Sequence, residues 1–322
     1  MTLRSQTHWN WDFWFAQDGG DVHLFYLTAP RSLGDPELRH RNARIGHAVS
    51  QDLVHWTDLG AALPPAPPDA MDDLASWTGS VVRDPAGGWR MFYTGLSTHD
   101  DGAVQRVVEA FSDDLHTWRR GELRLEAEPR WYEPQDWRDP WVLWDPEAHV
   151  WRMYVCATAA ARAHAGPADG RGVIGQLTSS DLRAWTVGPP VAEPWEFRQM
   201  EVPQVVPSGR RHALLFCAND TDHSAARLAR GAAPEYGTHV LYSDSLAGPF
   251  ELETDAFLSG DNGPSMYAGR AIEHAGRWWF LGWDRLDDHG QFVGGLSDPY
   301  PLEVLDGCLV VDFGARPPHR IP

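Results

Sequence analysis

The sequence predicts an all-β fold, a five-bladed β-propeller with four antiparallel strands per blade. Three observations carry that expectation. A phrase of the form Ser-x-Asp-Leu-x-x-Trp recurs at Ser50–Trp56, Ser112–Trp118 and Ser179–Trp185, its starts 62 and 67 residues apart, with a looser copy at Ser243–Phe250 beginning 64 residues later. Upstream of each copy lie two short aromatic or β-branched runs split by a turn signal, as adjacent antiparallel strands require. A recurring unit of this length, long enough for a four-stranded sheet, means one supersecondary element copied around an axis.

The units follow in order. In the first, Asp12–Ala16 and Val22–Leu27 flank Gln17–Asp21; in the second, Gly79–Arg83 and Trp89–Thr94 flank Asp84–Gly88. The third pairs Pro140–Trp144 with Val150–Val155 around Asp145–Glu147, and the fourth pairs Gln204–Pro207 with His212–Cys217 around Ser208-Gly209. Tyr267–Ile272 and Arg277–Gly282 around His274–Gly276 make a fifth. Each unit then supplies a third strand that runs into the repeated phrase, as Ala43–Val49 does, and a fourth after the Trp. The phrase itself reads as a capped turn, with Ser and Asp bonding local amides and Trp packing between blades. The Pro- and Gly-rich stretches Leu63–Pro68 and Ala165–Gly172 fall between strands as loops, and residues 1–322 are expected to form a single propeller domain. A WD-type scaffold fits less well, because its period is about 40–45 residues.

Composition narrows the chemistry. A formal charge of −18, spread along the 322 residues, argues against nucleic acid and anionic lipid as partners. All 27 basic residues are arginines, so mechanisms that need a lysine amine, Schiff-base chemistry and the Walker loop among them, are excluded. No apolar run reaches membrane-spanning length and Met1–Gln6 lacks a secretory apolar stretch, which predicts a cytoplasmic protein. Cys156, Cys217 and Cys308, scattered among apolar neighbours, read as buried free thiols. His47 and His55 sit inside the structural repeat and read as packing residues, while His8 and His99 stay unplaced.

If the first strand of each blade lines the axis, three of them carry acids to one mouth of the channel: Asp12, Asp139 and Glu201. Singly each would be a turn cap. At matching places in three repeats they form a candidate site, because glycoside cleavage needs two carboxyl groups in different environments. Arg138 supplies a neighbouring charge or a forked hydrogen bond to sugar hydroxyls. Glu133, Gln135 and Asp136 either line the pocket or cap a loop, and Asp220, Asp222 and His223 form a loop behind or facing the substrate.

His23–Tyr26, Gly46–Trp56 and Trp77–Ser80 together resemble glycoside hydrolase family 32, the β-fructofuranosidases. Arg138-Asp139-Pro140 matches that family's Arg-Asp-Pro motif, Glu201-Val202-Pro203 resembles its Glu-Cys-Pro segment, and Asp261–Ala268 with Gly282-Trp283 resembles its fifth-blade signature. The resemblance spans about residues 8–285. It implies Asp12 as nucleophile, Asp139 as transition-state stabiliser with Arg138, and Glu201 as general acid/base, acting on sucrose or short fructo-oligosaccharides by hydrolysis or transfer. Trp77, Thr78, Trp11, Trp14, Tyr267 and Trp283 would bind substrate. The family is retaining, which places Asp12 and Glu201 roughly 5–5.5 Å apart. No metal or organic cofactor is implied.

Two departures stand out. Trp9–Phe15 differs from the family's Trp-Met-Asn-Asp-Pro-Asn-Gly and is closer to the levansucrase Trp-Asp-x-Trp pattern, with bulky Trp11 and Trp14 expected to narrow the first subsite. The sequence also stops where the family usually adds a C-terminal β-sandwich, so a short substrate, or a homodimer covering the exposed propeller flank, is expected. Two alternatives remain: an arabinofuranoside- or xyloside-cleaving propeller, and a sugar- or protein-binding propeller without catalysis.

Overall fold

The computed structural model describes residues 3–161, 168–260, 266–286 and 289–314. Among them, nineteen strands form five antiparallel sheets. The first is β1 (His8–Asp18), β2 (Asp21–Pro30), β3 (Arg44–Ser50) and β4 (Thr57–Ala61). The second is β5 (Ala75–Arg83), β6 (Trp89–Leu96), β7 (Arg106–Ser112) and β8 (Trp118–Leu125), and the third β9 (Tyr132–Asp145), β10 (Val150–Ala159), β11 (Gly172–Ser179) and β12 (Thr186–Ala192). β13 (Glu201–Ser208), β14 (Arg211–Ala218) and β15 (Gly237–Ser243) make the fourth. β16 (Met266–His274), β17 (Arg277–Asp284), β18 (Tyr300–Leu305) and β19 (Cys308–Val311) make the fifth. The innermost strands β1, β5, β9, β13 and β16 touch one another in a closed ring, so the architecture is a five-bladed β-propeller. Among the described residues, blade four departs from four strands: the bridges Tyr242–Glu251 and Thr238–Ser259 occupy its outer edge.

The repeated phrase does what its residue types dictate. β3, β7 and β11 end on its Ser, and the Leu that follows the Asp turns into the left-handed region, with φ of 64° at Leu53, 65° at Leu115 and 63° at Leu182. Asp52 Oδ1 accepts the amides of Val54 and His55, Asp114 Oδ1 those of His116 and Thr117, and Asp181 Oδ1 those of Arg183 and Ala184. The Trp indole closes each turn on the Leu carbonyl. In the second, third and loose copies the aromatic ring crosses to the preceding blade, whereas Trp56 of the first stacks on Phe15 of its own blade. Trp118 meets Phe25 edge-on at 5.5 Å, Trp185 meets Phe92 at 5.5 Å, and Phe250 of the loose copy meets Tyr154 at 6.2 Å. One motif thus terminates a strand and locks two blades together.

Last and first blades join through loops and side chains, not through a shared sheet. Leu296 donates to Leu3, Gly295 to Asn10, and Gln17 reaches the Glu273 carbonyl. At the hub Arg270 is fully buried: its Nε donates to the Phe13 carbonyl (3.2 Å), its Nη1 to that of Pro203 (2.6 Å), and its guanidinium lies over Trp141. Four inner strands are tied by this one side chain. Cys156 and Cys217 are buried as expected, but Cys308 is exposed, because it starts the outermost strand of blade five. Among the described residues no helix is long and apolar enough to cross a membrane.

Candidate active site

Every inner strand breaks its register at one level. β1 bulges between Trp11 and Phe13, leaving Asp12 unpaired, and β5 bulges between Trp77 and Gly79, leaving Thr78 unpaired. In β9, β13 and β16 the break places two residues opposite one, and the first of each pair is left-handed: Asp139 (φ 59°), Val202 (φ 53°) and Ala268 (φ 50°). Positive φ at a β-branched valine is costly and marks a constrained site. Bulges re-aim side chains, and five of them at one end of the ring point Asp12, Thr78, Arg138, Glu201 and Tyr267 into one cavity of about 610 Å³. Arg138, Glu201 and Tyr267 hold equivalent positions, each immediately before the left-handed residue. Glu201 therefore matches Arg138 by position, one residue out of step with Asp139.

Asp12 is gripped from two neighbouring blades. Its Oδ1 accepts the Trp283 indole N–H at 2.8 Å and its Oδ2 the Thr78 hydroxyl at 3.0 Å. Part of its surface faces the cavity, yet it lies deep enough that burial pushes its pKa up, and the Glu201 charge pushes further against the two hydrogen bonds. Asp139 accepts the Val202 amide at 3.0 Å and is almost fully buried. Burial raises its pKa to about 7; the Arg138 guanidinium opposes that shift, while Glu201 and Asp12 add to it. Glu201 receives Arg138 Nη2 on Oε1 (2.8 Å) and the Tyr267 hydroxyl on Oε2. Two carboxyl groups thus face one space in different surroundings.

Arg138 is the fixed cation of the floor. Besides Glu201 it donates to Gln199 Oε1 (2.8 Å) and Asp136 Oδ1 (3.0 Å), and its Nε lies 3.8 Å from Asp139 Oδ2. Gln105, from the second blade, accepts the Trp137 amide and so holds the strand that carries it. Nearby charge keeps the guanidinium protonated despite burial.

Of the residues singled out from sequence, Asp12, Asp139, Glu201, Arg138, Trp11, Trp77, Thr78, Tyr267 and Trp283 line the cavity. Trp14 is not brought there: it lies further along β1, away from the mouth, where it is fully buried opposite Phe25 and stacks on that ring at 6.1 Å. Asp136 lines the cavity, whereas Glu133 pairs with Arg171 and Asp222 stands behind Asn219. His8 and His99 are exposed and away from it. Asp261–Ser265 of the fifth-blade signature fall outside the described residues. Sequence reading missed His40, Arg39, Asn219, Tyr236 and Arg285, which come from loops and a short helix with no repeated phrase to mark them. His40, held neutral because burial lowers its pKa to about 4, packs edge-on to Trp11 and Trp77, and Arg39 lies over Phe292 at 4.1 Å. Among the described residues no group of three or more His, Cys, Asp and Glu is arranged to hold a metal ion. A more open groove of about 710 Å³, bordered by Glu193, Phe250 and Asp255, contains none of the three central carboxylates.

Comparison with known proteins adds a lineage to this geometry. The sequence profile described as Glycosyl hydrolases family 32 N-terminal domain matches residues 14–294. An Arabidopsis thaliana β-fructofuranosidase, insoluble isoenzyme CWINV6, is 30% identical over 264 residues, 79% of this chain and 46% of the relative. A Zymomonas mobilis sucrose-6-phosphate hydrolase is 28% identical over 319 residues, 91% of this chain and 57% of the relative. The chain thus spans about half the length of these two curated relatives. An inulosucrase from Halalkalicoccus jeotgali bound to kestose superposes with a TM-score of 0.79 at 21% identity, covering 98% of this chain and 92% of that one. Bacillus subtilis levansucrase does so with a TM-score of 0.75 at 15% identity, covering 97% and 88%. At such identities the likeness is one of fold.

Proposed function

Because this chain belongs to glycosyl hydrolase family 32, we propose that it is a retaining glycosidase that releases or transfers the fructosyl group of β-fructofuranosides such as sucrose or short fructo-oligosaccharides. The observation that carries the reading is the convergence of Asp12 and Glu201, from blades one and four, on one cavity that Arg138 and Asp139 also line.

In this reading an Asp12 oxygen attacks the anomeric carbon while the bond to the leaving oxygen breaks and Glu201 gives that oxygen its proton. The product is a fructosyl ester of Asp12. Water, or a sugar hydroxyl, then adds at the same carbon, returns a proton to Glu201 and frees Asp12. Trp283 and Thr78 hold the Asp12 carboxylate in place for attack, one donor on each oxygen. Asp139, with a pKa near neutrality, accepts from or donates to ring hydroxyls, and the oxocarbenium-like charge of the transition state favours its ionised form. Trp11 and Trp77 supply flat apolar walls, and the aromatic bulk at Trp11 favours short substrates.

The test is product chromatography after incubation with sucrose, kestose and levanbiose, with a nitrophenyl arabinofuranoside alongside. Release or transfer of fructose by the wild type, lost in Asp12→Asn and in Glu201→Gln while both variants stay folded, is the expected outcome. Cleavage of the arabinofuranoside alone would overturn the substrate assignment.

A further inference from the structure

Tyr267 is held on both sides of its ring but not, by those contacts, at its hydroxyl. The ring stacks on Tyr236 at 4.5 Å and meets Trp283 edge-on at 5.7 Å, so its position is set by packing while the O–H bond remains free to rotate. Two acceptors or donors compete for that rotor. One is Glu201 Oε2, and the other is the Asn219 side-chain amide, whose Nδ2 lies 3.2 Å from Tyr267 Oη.

Asn219 follows β14 and opens the short turn Asp220–Asp222. Its backbone N–H and its Nδ2 both donate to Asp222 Oδ2, at 3.0 and 3.1 Å. An accepting carboxylate there fixes which end of the amide is the NH₂ group. The second Nδ2 hydrogen therefore points at Tyr267 Oη as a donor. A hydroxyl that receives a hydrogen bond from one side sends its own proton to the other, which here is Glu201 Oε2. Arg138 already donates to Oε1, so both oxygens of Glu201 face donors.

We propose that Asn219 is a positioning residue: by donating to Tyr267 it fixes the direction of the tyrosine proton and thereby holds Glu201 in the base form, which the second half of the proposed reaction needs. A proton arriving on Oε2 must find an acceptor in Tyr267, and it finds one only if the tyrosine proton turns away from Glu201 against the Asn219 amide. The linkage makes loading of the acid form cost more with Asn219 present than without it. Other charged and titratable groups face Glu201 too: Arg138, Asp136 and Asp139 from β9, Asp12 from β1, Tyr236 beside Tyr267, Asp222 behind Asn219, and Glu37, Arg39, His40 and Arg285 across the cavity. None of them touches the tyrosine hydroxyl within hydrogen-bond distance in the way Asn219 does; of them, substituting Asn219 takes a donor only from Asp222, which keeps the Asn219 backbone N–H.

The test reads Glu201 directly. In full-length protein carrying carboxyl-¹³C glutamate, the Glu201 resonance is assigned by its loss in Glu201→Gln and titrated in the wild type, Asn219→Leu, Tyr267→Phe and the double variant. Asn219→Leu keeps the volume and removes the donor; Asn219→Ala serves if the leucine does not fold. The expected result is a rise of the Glu201 midpoint by about 0.5–1 pH unit in either single variant and no further rise in the double variant. An unchanged midpoint in Asn219→Leu and Asn219→Ala overturns the proposal, and so does a rise of equal size in the presence and absence of the Tyr267 hydroxyl. Because the role rests on the fructosidase reading, the alkaline limb of kcat/KM on sucrose should move with the midpoint. Absence of turnover with the midpoint shift intact would discard the reaction and keep the Asn219 assignment.

Discussion

Trp283 of the last blade donates its indole N–H to Asp12 of the first, at 2.8 Å, across the seam where the ring closes. The bond does two things at once: it ties β17 to β1 without a shared sheet, and it opposes the burial and the Glu201 charge that raise the Asp12 pKa. Removing it by Trp283→Phe leaves the packing largely intact. The proposed nucleophile must be ionised, so the acidic limb of kcat/KM is expected to move to higher pH by about 0.5–1 unit, with kcat reduced about 10- to 100-fold. A pH–rate profile on sucrose checks this, and an unmoved limb would separate Trp283 from Asp12 ionisation.

Asp139 carries a cost that pH can expose. Its folded pKa, about 7, lies above the ordinary carboxylate value, so between roughly pH 4 and 7 the folded state binds a proton that the unfolded chain has lost. Stability contributed by this group is therefore full below about pH 4 and is lost as pH rises through 7. Asp139→Asn, always neutral, is expected to melt a few degrees above the wild type at pH 8 and level with it near pH 4, the gap corresponding to at most about 4 kcal/mol. Paired thermal melts at the two pH values decide it. Equal differences at both would show that folding does not shift the Asp139 pKa.

Arg270 is the hub of the ring, and its loss should be felt globally. Arg270→Met strips donors from the Phe13 and Pro203 carbonyls in a buried place, which costs about 3–5 kcal/mol or a fall in Tm of roughly 4–7 °C. Calorimetry measures it. A fall of under 2 °C would mean water replaces those bonds.

The repeated phrase predicts a periodic weakness. Trp118→Ala removes both the turn closure on Leu115 and the contact with Phe25 of the preceding blade. About 3–5 kcal/mol of stability should be lost, whereas Asp113→Ala, one residue before the capping Asp114 and exposed, should stay within about 0.5 kcal/mol. Denaturant melts of the two variants compare them.

The blades were legible because period-2 patterning, turn residues and the Ser-x-Asp-Leu-x-x-Trp phrase are all local signals, and each names a strand end that the structure reproduces. The convergence of Asp12, Asp139 and Glu201 was legible from their places at the head of the expected inner strands of blades one, three and four, and the resemblance named their neighbours. Trp14 went astray because proximity to Asp12 in sequence does not say how deep along β1 a residue sits: Trp14 pairs with Phe25 below the mouth of the cavity. Arg39, His40 and Asn219 escaped because they lie on irregular connections whose path is set by tertiary packing. The one-residue offset of Glu201 relative to Asp139 has the same origin. Only paired registers reveal that Arg138 and Glu201 occupy the same step of the bulge.

The central claim is that Asp12 and Glu201 act as a nucleophile and acid/base pair in a double displacement. Its most direct measurement is methanolysis of sucrose followed by ¹H NMR, which captures the configuration at the anomeric carbon before fructose can re-equilibrate. The account predicts methyl β-D-fructofuranoside from the wild type and none from Asp12→Asn. Formation of the α-anomer, or undiminished product from Asp12→Asn, would contradict it.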